Sequence, residues 1–213
     1  MSKSLYIAEK PSVAQEFANA LKINGRRSDG YIESEQAIVT WCVGHLVTMS
    51  YPECYDPKYK RWSLETLPFL PKEFKYGVIP SVEKQFKIVS GLLNRPDVDT
   101  IYVCTDSGRE GEYIYRLVAQ MADVKDKAQK RVWIDSQTEE EILRGIREAK
   151  DETEYDNLSA SAYLRAKEDY LMGINFSRLL TLKYGQNISN YLRTGKNTVI
   201  SVGRVMTLSL IHI

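Results

Sequence analysis

Short apolar runs alternate with amphipathic segments over the first two thirds of the chain. The runs are rich in β-branched and aromatic residues, which is typical of buried strands. They are Ser4–Ala8, Ala37–Val47, Thr100–Thr105 and Arg131–Ile134. Between them, apolar positions recur at helical spacing. We expect helices from Pro11, over Val82–Leu93, over Arg109–Met121 and from Thr138. Strands that alternate with helices predict an α/β fold with a parallel, doubly wound sheet.

The pattern changes after about Lys150, where the strand-like runs stop. Tyr155–Tyr184 predicts one long helix or two consecutive helices, and Thr194–Val199 predicts a loop. Earlier in the chain, the Pro- and Tyr-rich segment Tyr51–Pro71 predicts an ordered excursion rather than a flexible linker. We therefore place a domain boundary near residue 150, between an α/β domain and a mainly helical one.

Composition is that of a soluble globular protein, with 43% hydrophobic and 27% charged residues among 213. No apolar run approaches the roughly 18 residues that a membrane span needs. Three widely spaced cysteines without a CxxC pair argue against a zinc site and a disulfide scaffold, and they fit a reducing cytoplasm. Cys42 and Cys104 lie in strand-like runs, so we expect both to pack in the core.

The net charge of +1 is unevenly distributed. Residues 157–213 contain seven lysines and arginines but two acidic residues, a net charge of +5, whereas the other residues carry −4. An acidic part joined to a basic part suits an enzyme that holds a metal ion in one region and a polyanion with the other.

Four carboxylates are expected near one edge of the sheet. Glu9 and Asp106 each follow a predicted strand, and ligands of such sheets bind at the carboxyl ends of the strands. Glu110 and Glu112 fall in the first turn of the next helix, where the helix dipole alone would favour them. Together the four repel each other unless a cation neutralises them, and oxygen ligands select Mg²⁺ or Mn²⁺ over zinc. Lys10 would hold a phosphate oxygen or, alternatively, be a solvated lysine at a helix start.

Five motifs in order carry a family resemblance. They are IAEKPSVA from Ile7, GHL from Gly44, TDSGREGE from Thr105, RAKEDYLMGINFSRLLT from Arg165 and SVGRVMT from Ser201. Together they resemble the N-terminal part of bacterial type IA DNA topoisomerases, most closely the topoisomerase III branch. The resemblance implies a Rossmann-like Toprim domain over residues 1–150, followed over residues 151–207 by the first part of a helical DNA-binding domain.

The resemblance also implies roles for the acidic residues. Glu9 would act as acid or base near the scissile phosphate, and Lys10 would help to hold that phosphate. Asp106 would bind Mg²⁺ together with Glu9, Glu110 would correspond to the third acidic position, and Glu112 would support the site from behind. ATP would not be required.

Gly108 departs from the common family pattern, which has a second aspartate two residues after the first. One carboxylate ligand is therefore missing. We expect a single metal ion held by Glu9 and Asp106, with Glu110 as a further candidate ligand. The glycine variant resembles a subset of topoisomerase III enzymes, so it does not indicate inactivity.

SVGRVMT resembles the segment that contacts single-stranded DNA in this family. A glycine beside an arginine lets the backbone approach a phosphate while the guanidinium pairs with it. Arg165 and Arg178 would line the DNA groove or, apart from the family, form surface salt bridges. Trp62 would stack on a base or pin its loop to the core. The candidate DNA contacts are Ser201, Val202, Gly203, Arg204, Val205, Met206, Arg178, Arg165 and Trp62.

The implied activity is cleavage and rejoining of single-stranded or underwound DNA, which relaxes or decatenates it, through a tyrosine that forms a 5′-phosphotyrosyl bond. In relatives that tyrosine lies in a later domain, and none of the 14 tyrosines here matches its motif. We therefore expect this chain alone to be inactive, and the complete enzyme to be a monomer of the bacterial cytoplasm, associated with the nucleoid and not with a membrane. The alternatives are another Toprim nuclease or primase, or a module that only binds DNA and metal.

The last residues depart from the family. After SVGRVMT the family usually continues with Pro-Thr-Leu, whereas this chain reads LSLIHI. We expect Leu208–Ile213 to be a non-native tail, and we assign no role to His212.

Overall fold

The computed structural model describes residues 2–193, 195–196 and 198–203. Their contacts divide them into two compact units. The first comprises the described residues up to Thr48 together with Tyr76–Tyr163, and the second comprises Met49–Lys75 together with the described residues from Leu164 onward. The boundary near residue 150 concerns family domains and stays a prediction.

Strands and helices alternate over much of the chain, as the sequence pattern predicts. The strands are β1 (Lys3–Ala8), β2 (Arg26–Ser28), β3 (Tyr31–Glu33), β4 (Ala37–Trp41), β5 (Val47–Met49), β6 (Tyr76–Val78), β7 (Val98–Cys104), β8 (Ala128–Arg131) and β9 (Lys150–Asp151). The α-helices are α1 (Pro11–Ala20), α2 (Glu83–Leu93), α3 (Arg109–Met121), α4 (Glu139–Arg147) and α5 (Asp156–Leu192). Thr138 caps α4 as expected, since its hydroxyl accepts the backbone N–H of Glu141.

The main sheet has the order β2-β3-β4-β1-β7-β8-β9 within the described residues. The four central strands, β4, β1, β7 and β8, are parallel. The outer strands β2, β3 and β9 are antiparallel to their neighbours. The α/β prediction is therefore confirmed, and the parallel arrangement holds for the centre of a mixed sheet.

Two predicted strands have different limits in the structure. The run Ala37–Val47 is divided into β4 and β5, because Gly44 between them adopts a positive φ of 79°. The predicted strand Arg131–Ile134 is misplaced along the chain, since β8 covers Ala128–Arg131 and ends where the prediction begins. Beyond that residue, the backbone N–H of Ile134 bonds to the hydroxyl of Ser107.

Alternate residues of the central strands face opposite sides of the sheet. On one side, Tyr6 and Ala8 pack with α1 residues such as Phe17 and with Ile142 of α4. Leu5 and Ile7 are fully buried on the other side. Cys42 and Cys104 are buried as expected. Both faces of the central strands are thus covered, and their carboxyl edge is left for the loops.

The second unit combines the excursion after β5 with most of α5. The excursion contains the 3₁₀ helices Pro52–Cys54, Pro57–Lys60 and Leu64–Thr66. Phe69 is tied to the long helix, because its N–H and C=O both bond to the side-chain amide of Asn175. The segment is therefore ordered, as predicted, and α5 is one helix rather than two. Among the described helices, none is long and apolar enough to cross a membrane.

Candidate active site

Glu9 and Asp106 meet at the carboxyl edge of the parallel strands. β1 and β7 are direct neighbours, with Ala8 level with Cys104, so the residues that follow them lie side by side. The Oε2 atom of Glu9 accepts a hydrogen bond from the backbone N–H of Asp106 at 3.4 Å. The structure therefore brings together the two strand-end carboxylates that the sequence pattern indicates.

Lys10 lies between these two carboxylates. Its Nζ atom is 3.8 Å from Glu9 Oε1 and 3.9 Å from Asp106 Oδ2. The side chain of Glu9 is 9% exposed and that of Asp106 is 53% exposed. Burial raises the pKa of Glu9, and the charge of Asp106 raises it further, although the Asp106 N–H and Lys10 oppose the rise. A lysine at these distances only partly offsets two carboxylates.

Glu110 lies with His45 instead of with this pair. The Nε2 atom of His45 is 2.6 Å from Glu110 Oε1, and the side chain of Glu110 is 75% exposed. Over the part of the chain that the structure describes, no group of three or more His, Cys, Asp or Glu side chains is arranged to hold a metal ion. The structure thus presents a pair of carboxylates, and Glu110 as a metal ligand stays a prediction.

His45 is a site residue to which the sequence pattern assigned no role. It follows β4, the other neighbour of β1. Its loop is held beside the first strand, because the N–H of Cys42 bonds to Ala8 O at 2.8 Å and that of Gly44 to Glu9 O at 3.3 Å. The GHL motif includes His45. The position of His45 near Glu9 depends on the order of strands in the sheet, which cannot be read from the motif.

The donor set at this edge fits Mg²⁺ or Mn²⁺. Glu9 and Asp106 offer oxygen atoms, and the half-exposed Asp106 can be reached by a hydrated ion. Mg²⁺ is usually held by one or two carboxylates together with waters and substrate phosphates. A cation beside the two carboxylates would also offset the repulsion that raises the pKa of Glu9.

Glu112 belongs to a separate, buried set of charges. Its side chain is fully buried, with Oε1 at 2.8 Å from Arg116 Nε and Oε2 at 3.2 Å from Arg131 Nε. Arg131 in turn donates a hydrogen bond to the backbone oxygen of Asp106 at 2.7 Å. Glu112 is therefore linked to Asp106 through an arginine, and its supporting role stays a prediction.

The two glycines of the acidic motif have different surroundings. A Cβ atom on Gly111 would lie 2.1 Å from the backbone oxygen of Asp106, so glycine permits the close approach of α3 to that residue. A Cβ atom on Gly108 would meet no atom within 4 Å. The backbone of Gly108 is extended, with φ 171°, and an aspartate would fit there. Packing therefore does not explain the missing aspartate.

The candidate DNA contacts Arg178 and Trp62 lie against each other in the second unit. The guanidinium carbon of Arg178 is 5.3 Å from the ring centroid of Trp62. Arg178 also donates to the carbonyl of Tyr59 at 3.0 Å, and burial lowers its pKa. Because Arg178 is 6% exposed, its interpretation as a surface salt-bridge residue is wrong. Arg165 is exposed. The DNA contacts themselves stay predictions.

The SVGRVMT segment lies only partly within the described residues. The N–H of Val202 bonds to the hydroxyl of Ser177 at 2.8 Å, and that of Ile200 bonds to the hydroxyl of Thr181 at 2.9 Å. These bonds hold the start of the segment along α5. Outside the described residues lie Arg204, Val205, Met206 and the predicted tail Leu208–Ile213 with His212.

Comparison with models of protein families matches residues 4–136 to the Toprim domain. The match covers more than half of the chain and includes Glu9, Asp106 and most of the sheet that carries them. The chain belongs to the Toprim family.

The similarity to individual curated proteins is more specific than the match to the domain family. The chain is 46% identical over 187 residues, 88% of its length, to DNA topoisomerase 3 of Staphylococcus epidermidis. It is 44% identical over 207 residues, 97% of its length, to DNA topoisomerase 3 of Bacillus cereus. The DNA topoisomerase 3 of Staphylococcus haemolyticus is 46% identical over 88% of the chain. The chain spans 26% of the length of each of these relatives.

Proposed function

We propose that the complete protein containing this chain is a type IA DNA topoisomerase of the topoisomerase III branch. It would cleave and rejoin single-stranded or underwound DNA without ATP, through a tyrosine supplied by a later domain. The observation that carries the proposal is the cluster of Glu9, Lys10 and Asp106 at the carboxyl edge of a Toprim sheet. The similarity to proteins named DNA topoisomerase 3 supports DNA as the substrate.

Glu9 and Asp106 would hold the divalent cation, Mg²⁺ or Mn²⁺. When bound, this ion would neutralise charge on the scissile phosphodiester and help to orient it. The absence of a second aspartate at Gly108 favours one ion with a sparse set of protein ligands. Such a set leaves coordination positions for water and for the phosphate.

Lys10 and Glu9 would manage charge and protons at the scissile phosphate. Lys10 is half-exposed, and its ammonium group can bind a phosphate oxygen in front of the carboxylates. The pKa of Glu9 is raised by burial and by Asp106. In the metal-free site this favours the protonated carboxyl group, and Glu9 would give a proton to the leaving 3′ oxygen and take it back during rejoining.

DNA would bind to the basic second unit as well as to the metal site. Arg165 is the exposed candidate contact in α5, and Trp62 offers a partly open ring for stacking on a base. Arg178 would act mainly by holding Trp62, since most of its surface is covered. We place the enzyme in the bacterial cytoplasm at the nucleoid, as a monomer.

Plasmid relaxation by the complete gene product tests this proposal. Asp106→Asn is expected to lower the rate of Mg²⁺-dependent relaxation about 100-fold, because it removes a ligand of the cation that orients the phosphate. Asp123→Asn, at the exposed far end of α3, is the matched control and should retain activity. Unchanged relaxation and rejoining by Asp106→Asn would remove Asp106 from the mechanism.

The chain of 213 residues by itself is expected to bind single-stranded DNA without cutting it. A gel shift measures binding of single-stranded DNA, and a search for a covalent protein–DNA product on supercoiled plasmid measures cutting. A 5′-phosphotyrosyl product formed by this chain alone would show that its nucleophile lies within it, and would contradict the proposal.

A further inference from the structure

Arg131 makes an unusual number of bonds to the loop that presents Asp106. Its Nη1 group donates to the carbonyl of Val103 at 3.1 Å, to the carbonyl of Thr105 at 2.8 Å and to the hydroxyl of Thr105 at 3.1 Å. Its Nη2 group donates to the carbonyl of Asp106 at 2.7 Å. One guanidinium thus binds the backbone on both sides of the strand end of β7.

Glu112 is the charge partner behind Arg131, through an ion pair whose two atoms do not meet in hydrogen-bond geometry. Both side chains are fully buried, and Arg131 Nε lies 3.2 Å from Glu112 Oε2. Glu112 is held in turn by Arg116 at 2.8 Å. A buried ion pair of this kind is often no more stabilising than well-packed apolar residues of similar volume. The contribution of this ion pair is therefore better explained by the geometry that it imposes on Arg131 than by added stability.

The Asp106 backbone is also confined by α3. Gly111 lies so close that a Cβ atom there would be 2.1 Å from the Asp106 oxygen. The hydroxyl of Thr105 donates to the carbonyl of Gly111 at 2.8 Å. The carbonyl of Asp106 is thus contacted by both the guanidinium of Arg131 and the first turn of α3, while its carboxylate stays half-exposed.

We infer that Arg131, oriented by Glu112, is a positioning residue that fixes the backbone of Asp106 so that its carboxylate faces that of Glu9. The inference rests on the proposed function for the metal-binding role of the two carboxylates. Residues that orient metal ligands commonly change metal affinity about 10–100-fold when mutated. Arg131 acts through Asp106 and does not itself touch the ion or the DNA.

The test substitutes Arg131→Lys, which keeps the positive charge for Glu112 but removes the planar set of donors. Two quantities are measured on the 213-residue chain. The first is hydrogen exchange of the Asp106 amide without metal, relative to the Ile101 amide in the centre of β7. The second is the Kd for Mn²⁺. We expect the Asp106 amide to exchange about tenfold faster relative to Ile101, and the Kd to rise about tenfold or more.

Arg95→Lys is the matched control. Arg95 forms a comparable set of ion pairs with Glu33 and Asp97, before the opposite end of β7, and touches neither Asp106 nor Glu9. It should leave the Kd for Mn²⁺ within about twofold of the unsubstituted chain, since no ligand is reoriented. Normal Asp106 exchange and an unchanged Kd in Arg131→Lys would overturn the inference.

Thr105→Val decides the matter if Arg131→Lys does not fold. This nearly isosteric change removes one acceptor of Arg131 and the bond to Gly111. We expect about fivefold faster exchange at Asp106 and a similar rise in Kd, as for a lost hydrogen bond; no change in either would overturn the inference.

If the unsubstituted chain binds no Mn²⁺, or Asp106→Asn binds it equally well, the proposed metal site fails, while metal-free exchange still tests the role of Arg131.

Discussion

Two pairs of carboxylates in the first unit differ in their burial and in their charged neighbours. Glu112 and Glu152 are buried and lie near Arg116, whose Nε atom is 2.8 Å from one and 3.2 Å from the other. Glu9 and Asp106 have only the partial neutralisation provided by Lys10 at 3.8 and 3.9 Å. The first pair is enclosed in the protein, where Arg116 pairs with Glu112 while burial and the charge of Glu112 raise the pKa of Glu152, whereas the second pair is left open towards solvent.

This difference separates a structural set of charges from a binding set. Buried carboxylates need cationic partners in the fold, because an unpaired charge there costs several kcal/mol. The open pair carries a repulsion that an external cation can relieve. The contrast predicts that mutations in the buried pair change mainly stability, and that mutations in the open pair change mainly cation binding.

Removal of Glu112 is expected to have the largest effect on stability. Glu112→Ala leaves Arg131 buried beside a cavity, and we expect a loss of about 3–5 kcal/mol in the free energy of unfolding. Urea denaturation measures it. Glu110→Ala, two residues earlier and exposed, is the control and should change stability little. Equal losses from both variants would remove the distinction between the two sets.

Gly111→Ala is expected to have the second-largest effect on stability. The added methyl group would lie against the backbone of Asp106, and we expect a loss of about 3 kcal/mol from overpacking. Gly108→Ala is the matched control, since its Cβ atom would meet open space. Urea denaturation of the two variants compares them directly, and an equal, small loss would show that α3 can move away at no cost.

Glu152 should make stability depend on pH. Burial and the charge of Glu112 raise its pKa from 4.5 to about 8. Between these two values the folded chain keeps a proton that the unfolded chain releases, so stability should fall as the pH rises through this window. Glu152→Gln should remove that slope and be more stable than the unsubstituted chain above pH 8. Urea denaturation across the window measures it.

Glu154→Gln is the control for this pH dependence. Glu154 is exposed and pairs with Lys150, so its substitution should leave the slope in place. A slope that persists in Glu152→Gln would show that another group causes it and would contradict this assignment to Glu152.

Gly108→Asp should have the smallest effect on stability and the clearest effect on cation binding. The position precedes α3, where aspartate is a favourable cap, so a gain of about 0.5 kcal/mol is expected. A third carboxylate near the open pair should lower the Kd for Mg²⁺ about tenfold, since added ligand charge strengthens binding. Calorimetric titration measures the Kd. An unchanged Kd would place residue 108 outside the coordination shell.

The central fold and the open pair could be predicted from sequence because their signals are local. Glu9 and Asp106 each end an apolar run, and parallel strands place such residues at one edge. The family resemblance points to the same residues. What remained conditional was whether the two strands are neighbours, and the register of β1 and β7 answers it.

The rest depends on contacts between residues distant in sequence. Glu110 and Glu112 look alike in the first turn of a helix, yet one is exposed and the other fully buried. Arg131 was predicted as part of a strand, and its guanidinium reaches the carbonyl of Asp106, 25 residues earlier. The position of His45 follows from strand order. The assignment of the excursion after β5 to the second unit likewise depends on distant contacts with α5.

The dependence of stability on Mg²⁺ tests the central claim most directly. The free energy of unfolding of the 213-residue chain and of Asp106→Asn is measured by urea denaturation over a range of Mg²⁺ concentrations at constant ionic strength. The unsubstituted chain should gain about 2.7 kcal/mol at 100 times its Kd. Asp106→Asn should be at least as stable without Mg²⁺ and gain almost nothing with it. Equal gains in both chains, or none in the unsubstituted chain, would contradict a cation site at Glu9 and Asp106.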